Sequence, residues 1–259
     1  MWVWEANNPR GVLVIVHGAN EHHGRYKWLI EQWYAEGFNV VIGDLPGQGE
    51  TTKKERGHID SFDEYITVIE EWIKKAESYQ VPIFILGHSM GGLAVIRTLQ
   101  EKELPITGVL LSSPCLGLVN PPSIFLDILT KGINIFIPRL RINSGVSVDN
   151  ATRSEMVRDE GLRDPLYNKY VSIRWYRELA GAMIQASKEV NKFPNLPLLV
   201  LQGGDDKIVD KTAVKQWFNH VTSNEKTYKE YPHLYHEVFN EPEKEEVFTY
   251  ALSFVKALL

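Results

Sequence analysis

The stretch Gly87-His88-Ser89-Met90-Gly91 fits the pattern G-x-S-x-G. It directly follows an apolar, strand-like run (82–86) and precedes an apolar, helical run (93–99). A serine in the sharp turn between a strand and a helix holds its hydroxyl clear of the sheet, and glycines beside it leave room for neighbouring backbone. The helix N-terminus behind it supplies free N–H groups and the positive end of a dipole, both suited to a developing oxyanion. The chemistry expected of Ser89 is nucleophilic attack on a carbonyl.

A serine hydroxyl needs a base, and the base needs an orienting acid. With this turn, the partners are expected later in the chain, acid before histidine. Residues 196–201 lead into Gln202-Gly-Gly-Asp-Asp-Lys207, where Asp205, Asp206 and Asp210 compete for the acid role. Residues 226–231 lead into Pro232-His-Leu-Tyr-His236, where His233 and His236 compete for the base. Spacing alone leaves both choices open. A second oxyanion donor is expected from His17-Gly18-Ala19-Asn20, where Gly18 permits a turn that aims the next N–H inward. The backbone N–H groups of Ala19 and Met90 are the expected oxyanion donors. His17 reads as a structural residue bonding its own loop.

The elements that must carry these residues alternate in type. Residues 11–17, 38–43, 82–86, 106–111, 196–201 and 226–231 read as strands, the first four near-continuously apolar, as strands buried on both faces are. Helical spacing of apolar residues marks 26–36, a helix after the capping-box pattern Ser61-Phe-Asp-Glu64, and 243–258. Such alternation predicts βαβ units and a mostly parallel sheet flanked by helices. Between 115 and 192 the rhythm breaks: prolines intervene, no clear buried strand is visible, and eleven basic residues face eight acidic ones. That segment is expected to be a helical insertion carrying +3, which leaves −8 on the rest. The division is 1–114 with 193–259 as the core and 115–192 as the insertion.

Composition narrows the function classes. The 259 residues are 44% hydrophobic and 24% charged, which suits a globular enzyme and argues against disorder. A net charge of −5 argues against nucleic acid as a partner. The single cysteine, Cys115, rules out an intrachain disulfide or a cysteine-based zinc site and reads as a buried filler. Met1-Trp-Val-Trp-Glu5 has no basic region followed by an apolar stretch, so no secretory signal is expected and a cytoplasmic location is. Trp2 and Trp4 are expected to pack on the sheet. His22, His23 and His220 lack companions at metal-ligand spacing; no metal and no cofactor are expected. Glu21 and Arg25 fit either a pocket mouth or a surface pair.

His17-Gly-Ala-Asn-Glu-His-His-Gly-Arg-Tyr26, Gly87-His-Ser-Met-Gly-Gly92 and Leu201-Gln-Gly-Gly-Asp-Asp206 together resemble the monoacylglycerol lipase and lysophospholipase branch of the α/β-hydrolases. The resemblance covers 11–115 and 193–259 and is weak across 115–192, the place of that family's variable cap. It implies the α/β-hydrolase fold. It also places the acid at Asp206 and the base at His236, with Asp205 and His233 as runners-up. It implies a lipid ester as substrate, a monoacylglycerol or lysophospholipid, cleaved through an acyl-enzyme on Ser89. One departure is Gly47-Gln-Gly-Glu-Thr51, where the family often has Gly-His-Gly-x-Ser. Rival readings of the same pocket are a general carboxylesterase, an aminopeptidase, an acyltransferase, or a receptor that does not turn over.

Within the cap, residues 123–137 read as an amphipathic helix. Ser123, Asp127, Thr130, Lys131 and Asn134 fall on one stripe; Ile124, Phe125, Ile128, Leu129, Ile135 and Phe136 fall opposite. One reading packs this helix on the core. The other makes it an apolar lip that touches a membrane peripherally or admits an acyl chain, with Ile124, Phe125 and Ile128 against the substrate. Fifteen residues are too few to span a bilayer, which takes about 20.

Overall fold

A computed structural model describes residues 1–50 and 55–259. Its elements in chain order are β1 (Trp2–Trp4), β2 (Gly11–Val16), α1 (Lys27–Ala35), β3 (Phe38–Ile42), α2 (Asp63–Glu77), β4 (Ile83–His88), α3 (Met90–Glu101) and β5 (Gly108–Ser112). After β5 the chain leaves the sheet and forms α4 (Ile124–Phe136), β6 (Arg141–Asn143), α5 (Val148–Ala151), α6 (Glu155–Arg163), β7 (Tyr170–Ser172) and α7 (Ile173–Lys188). It then returns through β8 (Leu198–Gly203), α8 (Lys211–His220), β9 (Lys226–Tyr231) and α9 (Lys244–Lys256).

Seven strands make one sheet in the order β1-β3-β2-β4-β5-β8-β9. All neighbours run parallel except β1, which pairs antiparallel with β3 at the edge. Strand alternation splits the core into two layers. Val12, Val14 and Val16 of β2 face one side with residues of α2, α3 and α7, while Leu13 and Ile15 face the other with residues of α1 and α9. Both faces of the central strands are therefore dry, which is why β2, β3, β4 and β5 read as near-continuous apolar runs. From β2 the chain passes to β3 on one side and then to β4 on the other. That reversal opens a crevice at the carboxyl ends of β2 and β4, where an open α/β sheet binds its ligand.

The segment between β5 and β8 is less separate from the core than its composition suggests. Trp175, Leu179, Ala182 and Ala186 of α7 belong to the same buried cluster as α2 and α3. Trp175 Nε1 donates to the Tyr65 hydroxyl at 2.8 Å, and Gln100 Nε2 donates to the carbonyls of Ala186 and Glu189 at 2.9 Å. The segment also holds a small two-stranded antiparallel sheet, β6 with β7, which brackets α5 and α6 and which no sequence signal predicts. Its strands are three residues long and half exposed, too short to leave a periodic apolar signature.

Helix α4 is amphipathic as expected, and its apolar face is an exposed lip, not a face packed on the core. Its polar stripe faces the protein: Asp127 pairs with Arg177, Asn134 Oδ1 accepts from Arg174 Nε at 2.8 Å, and Thr130 is buried. Its apolar face looks outward, with Phe125 76%, Ile128 61%, Ile135 75% and Phe136 83% exposed. The partner surface on α7 presents arginines, so carboxylate and amide groups, not isoleucines, make the better contact. Trp2 and Trp4 are likewise only half-buried on the edge strand; Trp2 stacks on the His23 ring at 3.5 Å. Cys115 is buried, as expected.

Candidate active site

Ser89 links β4 to α3 with φ +52° and ψ −119°, a conformation a non-glycine residue adopts only at a cost of about 1–3 kcal/mol. Close packing enforces it. A Cβ on Gly91 would lie 2.2 Å from the Val16 carbonyl oxygen, and one on Gly87 would lie 2.7 Å from Gly92 Cα. The backbone of α3 is thus pressed against the end of β2, and Ser89 is left standing in the crevice.

The Ser89 hydroxyl is 2.8 Å from His236 Nε2, and His236 Nδ1 is 2.8 Å from Asp206 Oδ2. Asp206 is fully buried and its other oxygen accepts from the N–H groups of Ile208 and Val209, each at 2.9 Å. A carboxylate only accepts, so Nδ1 carries the proton and Nε2 is left to accept from Ser89. Burial resists both charges of the pair, yet their mutual attraction prevails. The Asp206 pKa is held below its ordinary value, and that of His236 lies above its own, raised by Asp206 with smaller contributions from Glu237 and Glu21. The runners-up point elsewhere: His233 and Asp205 are 84% and 58% exposed and 4.0 Å apart at the surface. Asp210 is the N-cap of α8, accepting from Thr212 N–H at 2.8 Å.

Met90 N–H is the first of α3, and Ala19 N–H lies in the loop after β2; among the described residues neither has a hydrogen-bond acceptor. The loop around Ala19 is braced on both sides. Gly18 N–H donates to Glu21 Oε2 at 2.8 Å, and Asn20, at φ +63°, donates its N–H to Gln48 Oε1 at 2.9 Å. Gln48 belongs to the stretch that departs from the family pattern, so the departure supplies a brace for this loop; Thr51, at its end, lies outside the described residues. His17 is structural: Nδ1–H donates to its neighbour's carbonyl at Gly18 (2.8 Å) and Nε2 accepts from Leu45 N–H (2.9 Å). Burial lowers its pKa and favours this neutral form.

Sequence reasoning missed a buried charged cluster beside the histidine. Glu21 and Arg25 do not form a surface pair. Both are buried, with Arg25 Nε 3.5 Å from Glu21 Oε1 and Arg25 Nη2 within 3.0 and 2.8 Å of the two oxygens of Glu237. Tyr26 donates to Glu21 at 2.8 Å. Burial alone would raise the Glu21 carboxyl, but His88, Arg25 and the Tyr26 hydroxyl hold it below the usual carboxylate range. Only the four-residue spacing of Glu21 and Arg25 hinted at this; nothing in the sequence marked Glu237.

Of the cap residues expected to touch substrate, Phe125 and Ile128 project outward from α4, and the side chain of Ile124 lies outside the described residues. An apolar cavity of about 480 Å³ opens instead between the start of the insertion and α7, lined by Leu116, Leu118, Pro121, Tyr176, Met183 and Ile184. Between it and Ser89 stands Cys115, whose Sγ lies 3.7 Å from Met183 Sδ of the lining and whose N–H donates to the Ser89 carbonyl at 3.0 Å.

The family described as serine aminopeptidase, S33, matches residues 7–243. The chain is 53% identical to phospholipase YtpA of Bacillus subtilis over 98% of both chains. It is 30% identical to human monoglyceride lipase over 90% of this chain and 77% of that one. The crystal structure of monoacylglycerol lipase from Paleococcus ferrophilus superposes with a TM-score of 0.89 at 31% identity, covering 100% of this chain and 99% of that one. The nucleophile turn, the parallel sheet and these matches have one explanation: the chain belongs to the serine aminopeptidase S33 family of α/β-hydrolases, in its monoacylglycerol lipase and lysophospholipase branch.

Proposed function

We propose that this chain is a serine hydrolase that cleaves the carboxylic ester of a single-chain lipid, a monoacylglycerol or lysophospholipid, through an acyl-enzyme on Ser89. The observation that carries the reading is the hydrogen-bonded chain Ser89–His236–Asp206, with two N–H donors beside it that have no acceptor among the described residues. His236 takes the proton from Ser89 as the hydroxyl attacks the ester carbonyl. The N–H groups of Ala19 and Met90 hold the tetrahedral oxyanion. His236 returns the proton to the leaving alcohol, then activates water to release the acid. Asp206 keeps the imidazole in the required tautomer.

The apolar cavity beside Leu116 and Met183 favours an acyl chain over the peptide that the family's description suggests, since its lining holds no carboxylate to pair with an amino terminus and its one charged residue, Lys188, is itself a cation. The names of the similar proteins, a phospholipase and monoglyceride lipases, point the same way. The outward apolar face of α4, flanked by Arg139 and Arg141, adds peripheral contact with an anionic lipid surface. No helix among the described residues is long and apolar enough to cross a membrane.

The test is hydrolysis of a panel of monoacylglycerols, lysophospholipids, short esters and aminoacyl amides by wild type and Ser89→Ala, with fluorophosphonate labelling alongside. Long-chain esters should be preferred, and Ser89→Ala should be folded, unlabelled and inactive. Preference for amides, or turnover by Ser89→Ala, would overturn the reading. A protein that binds lipid but resists the label would be a receptor.

A further inference from the structure

Arg25 stands where three parts of the molecule meet. Through Glu21, which accepts from Gly18 N–H, it reaches the loop that carries Ala19. Through Glu237 it reaches the loop that carries His236, one residue away. Glu237 in turn accepts from Asn240 Nδ2 at 2.7 Å and donates its N–H to the Ala151 carbonyl of α5 at 2.8 Å. A Cβ on Gly161 of α6 would lie 3.0 Å from Arg25 Nη1, so the guanidinium also abuts the insertion.

The groups around it define a charge balance. His236 is faced by Ser89, Asp206, the His88 ring at 4.8 Å, Glu21 and its chain neighbour Glu237. Arg25 is faced by Glu21, Glu237 and the phenols of Tyr26 and Tyr167, with His22, Glu160 and Asp164 lining the cleft on its outer side. Two buried carboxylates therefore flank the histidine, and Arg25 is the cation paired with both. An arginine suits the place, because its planar fork reaches two carboxylates at once and stays charged when buried.

We infer that Arg25 is a positioning residue for the reaction centre: it locks the oxyanion loop to the histidine loop and offsets the charge of the two buried carboxylates, Glu21 and Glu237, that it joins. The inference rests on the triad reading above. Arg25 touches no reacting atom. It acts by keeping the Ala19 N–H and the His236 ring in register and by balancing the negative charge of Glu21 and Glu237 near the imidazole.

The experiment is the pH profile of kcat/KM, with kcat and KM separated, for wild type, Arg25→Gln, Arg25→Lys, Glu237→Gln and the Arg25→Gln/Glu237→Gln pair, each checked for folding by circular dichroism. Arg25→Gln should lower kcat by roughly tenfold to a hundredfold, with KM little changed, because misplacement costs the chemical step. Its acid limb should move up by about half a pH unit or more, since unpaired carboxylates favour protonated His236. Glu237→Gln removes one carboxylate and leaves the cation, so its limb should move down. The double variant should return the limb toward wild type, and Arg25→Lys should keep the limb while losing rate through its lost fork.

Limbs that do not move, or that move the same way in Arg25→Gln and Glu237→Gln, would overturn the inference. If Arg25→Gln fails to fold, Arg25→Lys decides it: a kcat equal to wild type would overturn the inference, because the lost fork should cost rate. Fluorophosphonate labelling of wild type separates the two levels. An unlabelled wild type sinks the triad reading and this one with it, whereas a labelled wild type with unmoved limbs sinks only the role of Arg25.

Discussion

The Nδ1 atom of His236 lies 2.8 Å from Asp206 Oδ2 in a buried pair, while the neighbouring His233 and Asp205 sit 4.0 Å apart in solvent. Both aspartates follow the same strand and both histidines precede the same helix, so burial and the contact of His236 with Ser89 single out one pair as the proposed base and acid.

This pairing predicts the pH dependence. The base must be neutral to accept the Ser89 proton, and the pKa of His236 is raised because Asp206 outweighs the opposing effect of burial. Activity should therefore rise with pH along a limb centred above the ordinary imidazole value of about 6.5. Asp206→Asn removes the charge, so the limb should move to lower pH. The amide also favours the wrong tautomer, and kcat should fall by roughly ten-thousandfold. Asp205→Asn should change kcat by less than about twofold, because an exposed, weakly paired carboxylate contributes little. Stopped-assay rates across pH 5–9 (an approximate window, set by imidazole titration) check all three.

The strain at Ser89 gives a second outcome. The residue holds φ +52°, where a Cβ is unfavourable, and the helix behind it starts from that strained turn. Ser89→Gly and Ser89→Ala should both abolish turnover, but only the glycine relieves the backbone. Ser89→Gly should be the more stable of the two by about 1 kcal/mol, a shift of roughly 2–4 °C in Tm for a chain this size. Calorimetry of the two variants measures the difference directly.

Much of this was legible because it follows from local rules. Buried parallel strands leave apolar runs, and β2, β3, β4 and β5 were read within two residues of their observed ends. The turn around Ser89 was legible because few residue types can occupy it. Preferring Asp206 and His236 over Asp205 and His233 took the resemblance to the family, since spacing is silent on which aspartate and which histidine are buried together, and that comes from packing. What stayed hidden depended on contacts distant in sequence. Gln48 meets Asn20 across 28 positions and Arg25 meets Glu237 across 212. The amphipathic stripe of α4 is legible, but its direction depends on Arg174 and Arg177, which meet Asn134 and Asp127 across 40 and 50 positions.

Gly91 offers a test of the close approach between α3 and β2. Gly91→Ala would place a Cβ 2.2 Å from the Val16 carbonyl oxygen, and the obstacle is backbone at the core of the sheet. Neither side can yield without shifting the nucleophile turn. The substitution should destabilise the fold by about 3 kcal/mol or more, at the upper end of what overpacking costs. Denaturant unfolding reads the loss, and a midpoint within error of wild type would show that the helix can slide.

The outward face of α4 separates folding from surface binding. Ile128 and Phe136 are 61% and 83% exposed, and the helix is held by its opposite face through Asp127, Thr130 and Asn134. Ile128→Asp and Phe136→Ser should leave the unfolding midpoint within about 0.5 kcal/mol of wild type, because little apolar area is lost from the interior. Asp127→Ala should do the reverse, loosening α4 from α7 while the apolar face stays intact. If that face meets lipid, the first two variants should sediment less with anionic vesicles and keep full activity on a soluble short ester. Asp127→Ala should still bind. Equal sedimentation of wild type and Ile128→Asp would remove the membrane contact from the proposal while leaving the chemistry at Ser89 untouched.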